Sequence, residues 1–258
     1  MVRVIKEIQS ILNVPVQIDS NDPKVIESGL RVYNGKAIVN SVSGEDKSLD
    51  TILPIVKKYG AAVVGLTLDE KGIPAKAEER FKIAEKIVSR AMEYGIDRED
   101  IYIDCLTLTA AAQQEAVKET IKALRLVKQR LGVKTILGVS NISFGLPNRD
   151  LLNRTFLVAS LTAGLDLPII NPMAEDMMGT IKAFRVLWEE DRGANEYLKT
   201  YNIQNTENQI SKQVVDENLF DIVVQGMREE ARGATSKLIQ EKEPLKIIDE
   251  DIVPALDL

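Results

Sequence analysis

The sequence contains no histidine and a single cysteine, Cys105. The absence of histidine excludes histidine acid–base catalysis and histidine metal sites from this chain. One cysteine excludes an internal disulfide, and it leaves too few ligands for a structural zinc site. We therefore expect no metal site in this chain, and we expect it to work in the reducing environment of the cytoplasm.

Long apolar runs and an excess of positive charge are also missing. No apolar run reaches the roughly 18 residues of a membrane span. The first ten residues have the pattern of an amphipathic helix and not of a signal peptide. The net charge is −6, which argues against nucleic acid or an anionic membrane as the main partner. With 45% hydrophobic residues in 258, the chain has enough apolar material for one large core.

Four apolar stretches share one pattern, because each has the composition of a buried β-strand and ends on an Asp or an Asn. They are Val16–Asp19, Ala37–Asn40, Ile101–Asp104 and Thr135–Asn141. Strands without alternating polarity are typical of a parallel sheet covered on both faces. The carboxyl ends of neighbouring parallel strands meet at one mouth, which is where barrel enzymes carry their chemistry. We therefore expect these terminal Asp and Asn side chains to lie at one rim, with Asn141 as the last residue of its strand.

Strand and helix patterns alternate along most of the chain, which indicates an α/β fold with every strand buried on both faces. A closed barrel has eight such units and about 250 residues, whereas the pattern here covers roughly 190. We predict a TIM (β/α)8-type barrel over residues 1–200 that lacks its first two βα units. Residues 201–217, rich in Asn and Gln, are predicted to be a linker, and residues 218–258 to begin a further helical segment. Pro54 is expected to kink its helix or to mark the start of it.

At this point the chain resembles the pterin-binding methyltransferases, which include the folate-binding domain of cobalamin-dependent methionine synthase and the methyltetrahydrofolate:corrinoid protein methyltransferases. The motifs that carry the resemblance occur in the family's order, and they are Gln17–Ser20, Ile38–Ser41, Gly65–Asp69, Tyr102–Asp104, Leu137–Asn141 and Phe144–Arg149. The resemblance implies a TIM barrel in which these motifs belong to the third to seventh strands. It also implies that residues 218–258 begin the helical cap of a cobalamin-binding module. The chain departs from the family at Cys105, where proline is usual after the sixth-strand aspartate.

The function that the resemblance implies is methyl transfer in methionine synthesis. The substrate would be 5-methyltetrahydrofolate, and its N5-methyl group would pass to cob(I)alamin held by a separate corrinoid domain or protein. A folate and a corrinoid protein are therefore the expected partners, and a homodimer is left open. The alternative is a truncated, non-catalytic fragment that acts only as a docking or structural module.

The resemblance also assigns roles to individual residues. A reduced pterin presents an edge of N–H donors beside an oxo acceptor, which carboxylates and amides match with paired hydrogen bonds. Asp19, Asn40 and Asp104 would bind this edge, with Asp104 also counted as catalytic. Gly138 and Ser140 would admit the flat ring and add a donor. The family gives the asparagine after the seventh strand, here Asn141, the role of strengthening a hydrogen bond to N5 in the transition state.

Other interpretations of these residues remain open. Asp and Asn at strand ends also cap the helices that follow them. A Schiff-base aldolase would need a lysine at a strand end, and none of the strands identified here supplies one. Dihydropteroate synthase shares the barrel and the pterin, but its basic strand-end residues for diphosphate are not apparent in this sequence.

Overall fold

The computed structural model describes residues 1–201, 218–224, 228–240 and 242–256. The chain divides into two compact units, Met1–Gly193 and Ala194–Leu258, which are described separately. The predicted linker, 201–217, lies outside the described residues except for its first position.

The first unit alternates helices with strands, as its sequence pattern indicates. In chain order its main elements are α1 (Val2–Ile11), β1 (Gln17–Asp19), α2 (Pro23–Leu30), β2 (Ile38–Ser43), α3 (Asp46–Tyr59), β3 (Ala62–Leu66), α4 (Ala77–Glu93), β4 (Ile101–Asp104), α5 (Gln114–Leu126), β5 (Lys134–Gly138), α6 (Arg149–Thr162), β6 (Leu167–Ile169) and α7 (Glu175–Leu187). Helix α5 is extended by a π-helical turn at Val127–Leu131, and β5 is followed by a 3₁₀ turn at Val139–Ser143.

The six strands form one sheet in the order β1 to β6, and every pairing is parallel. This confirms the α/β class and the parallel sheet. The expectation that every strand is buried on both faces is wrong at the two ends of the sheet. Strand β3 is buried along almost its whole length, whereas Asp19 in β1 and Ile169 in β6 are exposed. Each end strand pairs with one neighbour among the described residues, so part of its surface stays open to solvent.

Several helix boundaries follow from local sequence. Asp22 caps α2, since its carboxylate accepts the Lys24 amide at 2.8 Å. Gly60 ends α3 with a φ of 61°, a conformation that glycine adopts without strain. The expectation that Pro54 marks the start of α3 is wrong, because the helix begins at Asp46. Leu49 and Ile52 are buried in that first part of the helix, and their packing outweighs the local preference of proline.

The core lies between the sheet and its covering helices. Successive strands place a fully buried aliphatic side chain in it, and these residues are Ile18, Val39, Val63, Ile103 and Leu137. Gly65 in β3 allows α4 to approach closely, because a Cβ at this position would lie 2.6 Å from Cγ2 of Ile87. Close packing of this kind fixes the height of the helices above the sheet, and therefore the position of the loops between them.

The described part of the second unit is helical. Its elements are residues 195–201, Leu219–Val224, Arg228–Leu238, Pro244–Ile247 with a π turn at Ile248–Ile252, and Val253–Leu256. Leu219, Ile222 and Ile247 are buried. Among the described helices of both units, none combines the length and the apolar character required to cross a membrane.

The contact between Gly65 and Ile87 can be tested by a double-mutant cycle. We expect Gly65→Ala to lower the free energy of unfolding by about 1–3 kcal/mol, because the added methyl group overlaps Ile87. In an Ile87→Ala background the same substitution should cost much less, since the overlapping methyl group is gone. Urea denaturation of the four proteins measures both values. Equal costs in the two backgrounds would contradict the proposed overlap.

Candidate functional site

The six residues singled out from the sequence lie in the carboxyl-terminal part of the parallel sheet or just beyond it. The expectation that the second strand ends at Asn40 is wrong, because β2 continues to Ser43 and buries Val42 in the core. Asp19 and Asn40 are aligned with one another in the register of β1 and β2. Asp104 ends β4, where it is aligned with Leu66 of β3 and Ile136 of β5. Gly138 ends β5, and Ser140 and Asn141 follow it in the 3₁₀ turn. One rim of the sheet therefore carries all six.

Asp19 and Asn40 are in direct contact. The Asn40 Nδ2 group donates a hydrogen bond to Asp19 Oδ2 over 3.2 Å. The register of β2 against β3 shifts between Asn40 and Val42, so that a bulge follows Asn40 immediately. Bulges redirect side chains at the ends of strands. The Asp19–Asn40 pair therefore lies directly beside the bulge of β2.

Asp104 is the most enclosed of the predicted carboxylates. It is half-buried, whereas Asp19 is exposed. Its Oδ1 atom accepts the backbone N–H of Leu106 at 2.7 Å. Burial raises the pKa of Asp104 to about 6, and the hydrogen bond from Leu106 opposes this shift. At neutral pH Asp104 is thus a poorly solvated carboxylate, a group that gains strongly from N–H donors on a ligand.

Gly138 and Asn141 form the second contact among the predicted residues. A Cβ built on Gly138 would lie 3.0 Å from the Asn141 side-chain nitrogen, so the missing side chain makes room for that amide. The expectation that Asn141 is the last residue of the strand is wrong, because β5 ends at Gly138. The turn that follows is held by the Ser143 hydroxyl, which donates to the Ser140 carbonyl at 3.2 Å. Asn141 is exposed, with its side chain back over the end of its own strand.

Arg149 braces the loop that carries Asn141. Its Nε donates to the Ser143 hydroxyl at 3.0 Å and its Nη2 donates to the Ser140 carbonyl at 3.1 Å. The guanidinium also lies 4.6 Å from the ring centroid of Phe144, within cation–π distance. Ser140 therefore supplies a carbonyl to this scaffold.

The two contacting pairs and Asp104 occupy different strands. Strand β3 separates Asn40 from Asp104, which corresponds to about 10 Å across the sheet at the usual strand spacing. Strand β5 is the next neighbour of β4 on the other side. A flat ligand of two fused rings could therefore reach more than one of these groups at once.

Sequence reasoning missed three residues near this rim. Thr67 is buried and donates from both its amide and its hydroxyl to the Asp104 carbonyl, at 3.0 and 3.1 Å. Leu106, the partner of the Asp104 side chain, has a φ of 62°. Asn171 follows β6 and accepts the Met173 amide at 3.0 Å. The rule of a polar residue after a strand would have found Asn171, but no local signal marks Leu106.

Cys105 is fully buried, and this burial raises the pKa of its thiol. A thiol that does not ionise is a poor nucleophile. A separate cavity of about 570 Å³ lies among the loops after β3, β4 and β5, and none of the six predicted residues lines it. It is bordered by Lys76, Gln113, Glu119 and several alanines.

The raised pKa of Asp104 predicts a pH-dependent stability cost. The pKa of about 6 in the folded protein lies above the ordinary aspartate value of 3.8, so the folded protein is destabilised as pH rises between these values. We expect Asp104→Asn, which keeps an acceptor for Leu106, to stabilise the protein at pH 8 by up to about 3 kcal/mol. The gain should shrink as pH falls towards 4. Urea denaturation at several pH values measures it, and a gain independent of pH would contradict this origin.

Comparison with known proteins places this chain in a family. Residues 1–171 match the family described as pterin binding enzyme. The chain is 30% identical over 279 residues to a methionine synthase from Mycobacterium leprae, covering 96% of this chain but 23% of that protein. It is 30% identical over 199 residues to a methylcorrinoid:tetrahydrofolate methyltransferase from Eubacterium limosum, covering 75% of this chain and 73% of that protein.

Solved structures show the same fold at lower identity. Dihydropteroate synthase from Yersinia pestis superposes with a TM-score of 0.58 at 13% identity, over 73% of this chain and 78% of that chain. The enzyme from Xanthomonas albilineans, in complex with 7,8-dihydropteroate, gives a TM-score of 0.56 at 16% identity, over 73% and 72% of the two chains. The parallel sheet is therefore a half-barrel of the TIM-barrel-like type. The match over most of the first unit shows that the chain belongs to the pterin binding enzyme family.

Proposed function

We propose that this chain binds 5-methyltetrahydrofolate at the rim formed by β1, β2, β4 and β5. In this proposal its residues support transfer of the N5-methyl group to cob(I)alamin on a separate corrinoid domain or protein, as in methionine synthesis. The carrying observation is the poorly solvated carboxylate of Asp104, which shares a rim with the Asp19–Asn40 pair and with Asn141. The names of the relatives from Mycobacterium leprae and Eubacterium limosum support the choice of methyl transfer.

Binding of the pterin falls to Asp104 and the Asp19–Asn40 pair in this mechanism. A carboxylate accepts two parallel hydrogen bonds from the amino group and the ring N–H of a reduced pterin. Asp104 is suited to this role because its charge has little water around it, so each donor on the ligand replaces solvation that the fold has removed. Asn40 can both donate and accept, which matches the oxo group and the neighbouring N–H.

Methyl transfer breaks the bond from the methyl carbon to N5, and the electron pair stays on N5. Charge therefore builds on this nitrogen as the carbon leaves. Asn141 has no proton to give, since a neutral amide does not ionise, but its N–H group can strengthen a hydrogen bond to N5 in the transition state. The proton that N5 finally takes comes through solvent, which reaches the exposed Asn141.

In this proposal the methyl acceptor, cob(I)alamin, is held by another domain or protein. This chain has no histidine, so its own residues cannot supply an imidazole ligand to cobalt. The chain spans less than a quarter of the methionine synthase that it matches, and a corrinoid-carrying module in a partner or a neighbouring domain fits that relationship.

The alternative function is a docking or structural module without catalysis. The observation that favours it is the pair of end strands, which carry exposed residues and one unused edge each among the described residues. An open edge is a site for pairing with further strands. The binding experiment below separates the two proposals.

Titration of 5-methyltetrahydrofolate by isothermal calorimetry tests the binding site. We expect saturable binding by the wild-type chain and its loss in Asp104→Ala, because the main acceptor for the pterin N–H groups is removed. Asp97→Ala is the matched control, since Asp97 is an exposed aspartate that precedes β4 at the opposite end of the sheet. A folded wild-type chain that does not bind would favour the docking alternative.

The affinity should also depend on pH. Protonation places a hydrogen on one oxygen of the Asp104 carboxylate, so the group can no longer accept two parallel hydrogen bonds from the pterin, and its pKa is about 6. We expect the dissociation constant of the wild-type complex to rise as pH falls through this value. In Asp104→Asn the affinity should be weaker at pH 8 and almost unchanged between pH 8 and 5. A parallel pH dependence in both proteins would assign the titration to another group.

The role of Asn141 is tested by methyl transfer to added cob(I)alamin. We expect Asn141→Ala to lower the rate by about 10²–10³-fold while pterin binding is largely retained. Gly138→Ala should lower the rate less, because its Cβ would lie 3.0 Å from the Asn141 nitrogen and displace it. Asn13→Ala, an exposed asparagine before β1, is the control. Equal losses of binding and rate in Asn141→Ala would contradict a transition-state role.

A further inference from the structure

Arg80 is the largest fully buried side chain of the protein's described part, with no exposed surface. It lies in α4 among apolar residues that face the sheet, including Ala77, Ile83 and Ile87. A guanidinium stays charged in proteins, and removing it from water carries a large free-energy cost. Burial of the Arg80 guanidinium therefore destabilises the fold unless its contacts offset this cost.

The guanidinium donates mainly to the loop that follows β4. Its Nη1 group donates to the carbonyls of Cys105 and Leu106, at 2.9 and 3.1 Å. The same nitrogen donates to the Thr120 hydroxyl at 2.9 Å, and this hydroxyl lies 3.0 Å from the carbonyls of both Leu106 and Ala116, so its one proton is shared between them. On the other side, Nε donates to the Pro74 carbonyl at 2.8 Å. Arg80 and Thr120 thus form a clamp on the two residues directly after Asp104.

The clamped loop has a conformation that needs support. Leu106 has a φ of 62°, in the left-handed region that a leucine adopts only at a cost. In this conformation the Leu106 amide donates to Asp104 Oδ1 at 2.7 Å, while the carbonyl of the same residue accepts from Arg80. Arg80 fixes the position of the Leu106 carbonyl. It thereby also restrains the Leu106 amide, which orients the Asp104 carboxylate.

The charge of Arg80 is not explained by an ion pair. Among the described residues no carboxylate forms a salt bridge with it. Burial lowers its pKa, and electrostatic interactions with Cys105 and Glu119 oppose this shift only in part. Its Nη2 atom is buried and has no hydrogen-bond partner among the residues that the structure describes. Well-packed apolar residues often stabilise such a position as well or better. That the chain has an arginine here despite the cost of burying its charge indicates that Arg80 positions the residues at the rim.

We infer that Arg80 is a positioning residue, which acts through the loop after β4 to hold the Asp104 carboxylate in the orientation that receives the pterin. This inference rests on the proposed function, because Asp104 is given its ligand there. Thr120 is the second part of the same clamp.

The test compares Arg80→Met, Arg80→Lys and Thr120→Val with the control Arg90→Met. Arg90 lies on the same helix, but it is partly exposed and pairs with Asp46 and Asp50 on the surface. Each protein is titrated with 5-methyltetrahydrofolate, and amide hydrogen exchange is followed at Leu106 and at core strand residues such as Ile103. Thr120→Val removes one hydroxyl at constant shape, so it carries the test if Arg80→Met does not fold.

We expect the dissociation constant to rise by about tenfold or more in Arg80→Met and in Thr120→Val, and to be intermediate in Arg80→Lys, which can still reach a carbonyl. The Leu106 amide should exchange faster while Ile103 stays protected. In an Asp104→Asn background the effect of Thr120→Val on affinity should largely disappear, because residues that act through one another are not additive. Arg90→Met should change none of these values.

A purely structural role for Arg80 would give a different result. In that case all protected amides would exchange faster together, and the effects on affinity would add to that of Asp104→Asn. Either result overturns the inference. If the wild-type chain does not bind the pterin, the proposed function fails, and the exchange rate of Leu106 in Thr120→Val still decides whether the clamp exists.

Discussion

The Asp104 carboxylate is half-buried at the carboxyl end of the sheet, and its burial opposes the charge that the proposed function requires of it. Burial raises its pKa, and the one hydrogen bond that opposes the shift comes from Leu106. Leu106 is in a left-handed conformation, and its carbonyl accepts from Arg80 and lies within hydrogen-bond distance of the Thr120 hydroxyl. The charge of Asp104 is therefore linked through Leu106 to the buried guanidinium of Arg80.

The parallel sheet explains why Asp104 lies at the same rim as the other predicted Asp and Asn side chains. All six strands run in the same direction, so their carboxyl ends share one rim. This much could be predicted from the sequence, because apolar stretches ending in Asp or Asn occur with helices between them. The contact between Asn40 and Asp19 follows from that rule and from the adjacency of β1 and β2.

What could not be predicted depends on tertiary packing. The sequence pattern placed Asn141 at the end of its strand, but β5 stops at Gly138, where the absent side chain leaves room for the Asn141 amide. The burial of Arg80 could not be predicted for a related reason. An arginine in an amphipathic helix is expected at the surface, and only the structure shows the carbonyl groups that it contacts. The exposure of β1 and β6 likewise depends on which strands have a second neighbour, and no local pattern carries that information.

The groups at the rim differ in exposure, and in the proposed function this difference gives the ligand its direction. Asp104 is half-buried, whereas Asn141 is exposed. The N–H edge of a pterin gains most at the enclosed carboxylate, because there the fold has already removed competing water. In that orientation N5 would lie towards the exposed amide of Asn141, and a corrinoid held by another domain would approach from this exposed side. The desolvation that costs stability at Asp104 would in this way select the one orientation in which the methyl group faces its acceptor.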